Sequence, residues 1–211
     1  MKSVLILVGA SGVGKTTLAM KLLSIEPSFY YSRSATTREV RNDSHTSEYI
    51  YLNESLFREE ILKGKMLEYT EYNGSLYGTP ASEIEKAFSE NKTPLLVLDI
   101  EGVKTLREKS LDFGIFAVYL YEDIGVIENR LIERGDSSDI ILKRKSANLR
   151  DYRALPEISG LFDAFVKNDF VDFAAQSVLL KFQSFLKGDG GEKEDNLKIA
   201  RILAESANKK T

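Results

Sequence analysis

Cysteine is absent from the 211 residues, which excludes disulfides, thiolate metal sites and cysteine nucleophiles together. Histidine occurs once, as His45 in a polar loop, a poor candidate for a base or a metal ligand. No apolar stretch approaches the length of a membrane span. The run Val4–Ala10 is seven residues long and leads straight into a glycine-rich loop, so it does not read as the core of a secretory signal. Neither sign of charge dominates: 29 basic against 32 acidic residues create no global field to recruit nucleic acid or a membrane surface. Internal repeats and low-complexity tracts are also missing. These exclusions leave a soluble, cytoplasmic chain. It is long enough to bury a full core as one large α/β domain or as a core with small inserted subdomains.

The most informative segment present is Gly9-Ala10-Ser11-Gly12-Val13-Gly14-Lys15-Thr16-Thr17, directly behind the apolar run Val4–Val8. It fits G-x-x-x-x-G-K-[ST] and stands between an expected buried strand and a helix, where that pattern works. Its glycines let the backbone turn N–H groups inward around an anion, and the helix N-terminus adds partial positive charge. Lys15 is expected to reach the β- and γ-phosphates of a nucleoside triphosphate, and the Thr16 hydroxyl to ligate Mg²⁺.

Strands and helices alternate, as in a parallel sheet covered by helices. Helices are expected over 15–24, 81–89, 103–108, 124–133, 140–152 and 171–186, with strands at 95–99, 115–120 and 162–167. A polar region from Ser32 to about Pro80 interrupts this order, with strand-like pieces at 48–52 and 66–70 around a helix at 56–63. Phe29, Tyr30 and Tyr31 read as packing residues. After the flexible break Gly188-Asp-Gly-Gly191, the segment Asn196–Ala207 reads either as one more short helix, with Leu197, Ala200 and Leu203 on a common face, or as a weakly docked or frayed tail.

The interrupting region carries a second chemical signal. Ser34-Ala-Thr-Thr-Arg38 precedes Arg41, and Tyr49, Glu68 and Tyr77-Gly78-Thr79 follow. Paired guanidinium forks with hydroxyls nearby suit a doubly charged phosphate. With these elements the chain resembles the guanylate kinase family. Its phosphate loop matches Gly9–Thr16, and its S-x-T-T-R-x-x-R segment matches Ser34, Thr36, Thr37, Arg38 and Arg41. Leu98-Asp99-Ile100-Glu101 is similar to the family's L-D-I-D, Arg130-Leu-Ile-Glu-Arg134-Gly135 with Lys143-Arg144 to its lid, and Val166-Lys-Asn168-Asp169 to its V-N-D element.

The resemblance implies a P-loop three-layer α/β fold with a parallel core sheet (1–31, 80–133 and 154–187). An inserted monophosphate-binding subdomain (32–79), a lid (134–153) and a flexible or short helical tail (188–211) complete it. It implies that Arg38, Arg41, Tyr49 and Tyr77 hold the phosphate of GMP or dGMP, while Ser34, Glu68 and Thr79 read the base. An ionised Glu68 only accepts hydrogen bonds, and guanine's edge offers two N–H donors. Adenine would leave the carboxylate unpaired, at a cost on the order of several kcal/mol. Asp99 serves Mg²⁺ through water, touches the guanine amino group, or simply caps a helix. Arg134 and Arg144 are implied to close on the transferring phosphoryl group, with Lys15 and Arg38 completing the catalytic set. Asn168 contacts the adenine of ATP or is a plain turn residue. A monomer or homodimer is expected.

Three segments depart from the family pattern. Residues 42–48 are about one residue short and lack its glycines, and 98–102 is roughly two residues shorter with Glu101 for Asp. Asn148-Leu-Arg150-Asp-Tyr-Arg153 replaces the acidic residue and helix that normally follow the lid. Two other readings remain open: a related P-loop kinase with a different acceptor, and a non-catalytic guanylate-kinase-like binding module. The second typically has a degraded phosphate loop, against which the intact Gly14-Lys15-Thr16 argues.

Overall fold

The computed structural model describes residues 2–40, 49–72, 74–189 and 193–210. In chain order the elements are β1 (Ser3–Gly9), α1 (Lys15–Ile25), β2 (Phe29–Tyr31), β3 (Ser34–Thr36), β4 (Tyr49–Tyr51), α2 (Glu54–Leu62), β5 (Met66–Tyr72) and β6 (Ser75–Pro80). There follow α3 (Ala81–Ser89), β7 (Thr93–Val97), α4 (Ile100–Glu108), β8 (Gly114–Tyr121) and α5 (Ile124–Glu133). The chain then forms α6 (Ser138–Ile158), a 3-10 turn (Ser159–Leu161), β9 (Ala164–Lys167), α7 (Val171–Lys187) and α8 (Lys193–Asn208). The core sheet is parallel, with strand order β2-β7-β1-β8-β9. A second sheet, mixed, has the order β4-β3-β6-β5. Val4 to Val8 are all but inaccessible, as expected for a central strand covered on both faces.

The chain divides into two compact units. One comprises Met1–Ile6 with Leu23–Ile115 and contains the whole mixed sheet. There β3 pairs parallel with β4 and antiparallel with β6, and β6 pairs antiparallel with β5. Phe57, on α2, packs with Ala35, Met66 and Leu76 beneath this sheet and forms a small core of its own. The crossings into and out of the sheet are tied together by Glu83 at the start of α3. Its carboxylate, almost wholly buried, accepts from the Arg33 backbone N–H and guanidinium at 3.0 Å each and from the Tyr30 hydroxyl at 3.3 Å. Despite that burial its pKa is held below the usual carboxylate range, because the Arg33 contacts outweigh desolvation.

The other unit comprises Leu7–Leu22 with Phe116–Thr211. Tyr119, Phe162 and Phe165 stack at centroid separations of 4.9–5.7 Å inside it. α6 is longer than expected, ending at Ile158, and the Ser159 hydroxyl donates to the Pro156 carbonyl at 3.3 Å where the helix stops.

Of the two readings of the C-terminal segment the helix is the one that forms: α8 has 16 residues, reaches a few residues beyond 196–207 and packs on α6 and β9. Asn196, Ala200, Leu203, Ala204 and Ala207 form its buried stripe at helical spacing. Three alanines in that stripe let the backbones approach closely. Asn196, the polar member, accepts from the Phe165 N–H at 3.2 Å and donates to the Asp163 carbonyl at 3.0 Å. It therefore satisfies backbone groups on and just before β9, which is the edge strand of the core sheet among the described residues. β7 also begins earlier than expected, at Thr93, and includes Pro94. α4 starts at Ile100 rather than Val103, because Asp99 is its N-cap: Oδ1 accepts from the Gly102 N–H at 2.7 Å. Among the described residues no helix is long and apolar enough to cross a membrane.

Candidate active site

The loop between β1 and α1 has the backbone its glycines permit. Gly9, Gly12 and Gly14 all have positive φ, and at Gly14 (+99°) a Cβ would also lie 2.6 Å from the Asn168 side-chain nitrogen. Lys15 folds over this loop, its Nζ donating to the carbonyls of Gly9 at 2.8 Å and Ala10 at 3.1 Å. Thr16 and Thr17 stand in the first turn of α1, at its positive end.

Four side chains from elsewhere in the same unit hold the loop. The Asn148 amide pairs with both backbone groups of Ser11, and Arg144 donates to the Ser11 hydroxyl at 3.0 Å. Arg130 donates to the carbonyls of Val13 at 3.1 Å and Asn168 at 2.8 Å. Asn168 donates to the Val13 carbonyl at 2.8 Å, while its Oδ1 is buried with no hydrogen-bond partner among the described residues. Asn168 is buried and packs against the phosphate loop through this contact.

The expected lid arginines converge on one residue. Asp136 receives the Arg134 guanidinium at 2.5 and 3.1 Å and stands 3.6 Å from Arg144 Nε. A carboxylate between two guanidiniums keeps their charges gathered and lowers the repulsion between them.

The second cluster lies on the mixed sheet of the other unit. Glu68 and Thr79 face each other across β5 and β6, and Thr79 Oγ1 donates to Glu68 Oε1 at 2.6 Å. Glu68 is 3% exposed. Burial pushes its carboxyl up to about 7; the Thr79 hydrogen bonds and Lys109 work against this rise, and Asp99 adds to it. Gly102 packs closely, since a Cβ there would crowd Glu68 Oε2 at 3.0 Å and Asp99 Oδ1 at 3.2 Å. The N-terminus of α4 thus lies directly against Glu68.

Further along the same sheet the Arg38 guanidinium lies 4.9 Å from the Tyr49 ring centroid, with Tyr77 edge-on to Tyr49 at 6.2 Å. The backbone that presents Arg38 is fixed by two threonine hydroxyls. Thr36 Oγ1 donates to the Leu76 carbonyl and accepts from the Arg38 N–H, and Thr37 Oγ1 accepts from the Leu76 N–H. Arg38 Nε is buried and has no hydrogen-bond partner among the described residues. Ser34 begins β3, in register with Tyr49. Arg41 lies outside the described residues.

The chain is similar over most of its length to known proteins. A family model described as guanylate kinase matches residues 1–184. A guanylate kinase from Lactococcus lactis is 36% identical over 172 residues, covering 81% of this chain and 82% of that protein. One from Prochlorococcus marinus is 33% identical over 186 residues, 87% of this chain and 98% of that protein. The chain belongs to the guanylate kinase family. The crystal structure of guanylate kinase from Anaplasma phagocytophilum shares the fold, with a TM-score of 0.64 at 20% identity over 87% of this chain and 86% of that one.

Sequence reasoning missed four residues in this guanylate kinase fold. Tyr51 stands two positions from Tyr49 on β4, with ring centroids 6.1 Å apart, and a period of two was the available signal. Asp136 lies between the two lid arginines in sequence. Arg130 was visible within the lid motif, but nothing assigned it to the phosphate loop. Asn148 was noticed only as a departure from the family pattern.

Proposed function

We propose that the protein transfers the γ-phosphoryl group of MgATP to GMP or dGMP, giving ADP and GDP. The observation that carries this reading is the buried Glu68–Thr79 pair, on the same sheet as Arg38, Tyr49 and Tyr77. A carboxylate buried to the point that its pKa reaches about 7 is costly to ionise, and a guanine edge offering two N–H donors would repay that cost. Thr79, already donating to Oε1, leaves Oε2 and the remaining lone pairs for the base. Asp99 Oδ1 is committed to the α4 N-terminus, which leaves its other oxygen for the guanine amino group or a water.

Arg38, with Arg41, would take the acceptor phosphate, and the Tyr49 and Tyr77 hydroxyls would complete its coordination. On the donor side the backbone N–H groups of Gly9–Thr17 would cradle the triphosphate, and Lys15 would exchange its loop carbonyls for the β/γ-oxygens. Arg134 and Arg144 would leave Asp136 for the transferring group, whose charge grows in the transition state. No protein nucleophile is required; positioning and charge neutralisation carry the reaction.

The donor set suits Mg²⁺ only as part of the nucleotide complex. Thr16 offers a hydroxyl oxygen, and no cluster of three or more acidic or histidine side chains that could hold a metal stands among the described residues. Phosphate oxygens and water would therefore supply the remaining positions, as is usual for this ion. When bound with the nucleotide it would supply positive charge to offset that of the phosphates, with the Thr16 hydroxyl as the protein's ligand.

On this reading the partners are ATP and GMP or dGMP, with no nucleic acid or membrane among them. The protein would act in the cytoplasm as a monomer or homodimer. The test is ADP formation from ATP with GMP, dGMP or AMP as acceptor, with and without Mg²⁺. GMP should exceed AMP by at least about a hundredfold in kcat/KM, the scale on which paired hydrogen bonds reject a ligand that lacks them. A folded, ATP-binding preparation without GMP-dependent ADP formation would defeat the proposal.

A further inference from the structure

Arg144, Asn148 and Tyr152 recur at every fourth residue of α6 and so share one face of the helix. Each makes a separate connection. Arg144 reaches the Ser11 hydroxyl. Asn148, 1% exposed, takes the Ser11 N–H on Oδ1 at 2.8 Å and gives an Nδ2–H to the Ser11 carbonyl at 2.9 Å. The Tyr152 hydroxyl donates to the Glu122 carbonyl at 2.8 Å and accepts from the Glu122 N–H at 3.1 Å. The Glu122 carboxylate in turn stands 3.9 Å from Arg130, which holds Val13.

The Asn148 contact is the most constraining of the three. An amide that accepts from and donates to one residue's backbone leaves that residue little freedom to rotate. The Ser11 backbone directs the chain into Gly12-Val13-Gly14, where the N–H groups must point inward at phosphate. Three glycines would otherwise leave this loop many conformations to lose on binding.

α8 fixes the same helix from another side. It is tied at its N-terminal end by Asn196 to β9, and at its C-terminal end by Arg153 of α6, which donates to the Ala207 carbonyl and to Asn208 Oδ1 at 3.1 Å each. Lys210 adds an ion pair with Asp123, the N-cap of α5, at 2.9 Å. Both ends of α8 are thus anchored, one to β9 and the other to α6. α8 lies beyond residues 1–184, the part of the chain matched by the family model.

We propose that Asn148 is a positioning residue for phosphoryl transfer, pre-setting the Ser11 backbone of the phosphate loop, and that α8 holds α6 in the register this contact needs. The proposal rests on the assignment of Gly9–Thr17 to the ATP phosphates.

The test compares the full chain with Asn148→Ala, Asn148→Asp and Arg153→Ala. The readouts are MgADP affinity by calorimetry without GMP, amide exchange at Ser11 in the nucleotide-free protein, thermal stability, and KM for each substrate. Asn148→Ala should lose Ser11 protection and weaken ADP binding and raise KM for ATP by about tenfold, the scale of one or two lost buried hydrogen bonds, with KM for GMP within about twofold. Asn148→Asp keeps an acceptor for the Ser11 N–H but sets a carboxylate oxygen against the Ser11 carbonyl and a negative charge beside the phosphate loop. It should weaken ADP binding at least as much as Asn148→Ala. Arg153→Ala touches neither nucleotide nor loop, and should weaken ADP binding by about threefold through α6 alone. Parental ADP affinity and Ser11 protection in Asn148→Ala would overturn the proposal. Should that variant fail to fold, parental ADP affinity in both Asn148→Asp and Arg153→Ala would do the same. A parent that binds ADP but does not phosphorylate GMP would instead refute the guanylate kinase activity alone.

Discussion

Replacing Glu68 with glutamine perturbs one buried oxygen and should move stability and activity in opposite directions. In the ligand-free protein the Glu68 carboxyl titrates near 7 rather than its ordinary 4.5, chiefly because it is buried. Its folded-state pKa is raised, so the protonated form is favoured by folding, and stability is lost as pH climbs from about 4.5 through about 7. A shift of that size corresponds to about 3 kcal/mol by pH 8. Glutamine is neutral at every pH and still accepts from Thr79. Glu68→Gln should therefore match the parent near pH 4.5 and exceed it by up to about 3 kcal/mol at pH 8.

Catalysis should show the reverse. Glutamine presents an N–H where guanine's own N–H groups arrive, so kcat/KM for GMP should fall by about a hundredfold or more. In the parent, guanine binding needs the ionised acid, so kcat/KM for GMP should drop about thirtyfold between pH 8 and pH 5.5. The GMP phosphate also titrates in this range, but that effect is common to both proteins. The ratio of parent to Glu68→Gln isolates the carboxyl. The assays are urea denaturation at several pH values and initial rates with GMP across the same range. A variant with the parent's pH dependence of stability would refute the raised carboxyl pKa, and one with undiminished use of GMP would refute Glu68 as base reader while leaving the kinase fold standing.

Lys15→Ala should remove most turnover, by roughly a hundredfold or more, since it deletes a charge at the β/γ-phosphates; initial rates at saturating substrates measure it. Arg38→Ala should raise KM for GMP and lower kcat together, because one guanidinium meets the phosphate before and during transfer; near-parental kcat/KM would remove it from the site. Glu101→Ala should change kcat/KM for GMP by less than about threefold, because Glu101 is exposed in the first turn of α4 while Glu68 is buried beside it.

The features legible in sequence share one property: their meaning is local. Gly9–Thr17 needs only its own glycines, the strand before it and the helix after it. β1 and β8 announce themselves as short continuous apolar runs, and Tyr49, Glu68 and Tyr77-Gly78-Thr79 follow Arg38 in the order their family motif gives. β3 and β6 were harder, since β3 is three residues long and neither has an apolar run of its own. They are strands because the mixed sheet pairs them, Ala35 with Gly78 and Thr36 with Tyr77.

Sequence alone therefore determined the fold class, the glycine-rich loop and the order of the proposed acceptor-binding residues, since each is written in spacing and residue type within a few turns of chain. Tertiary structure decided what the isolated polar residues do. Asn148 is indistinguishable from a solvated helix residue until its amide meets Ser11, 137 positions away. Asn196 would count against a buried helix face until β9 supplies the Phe165 N–H it satisfies. Glu68 has an ordinary carboxyl in the unfolded chain, and only burial beside Asp99 raises it to about 7. In each case the free energy of a polar group is set by the partners and water around it, and those are fixed only when distant segments pack.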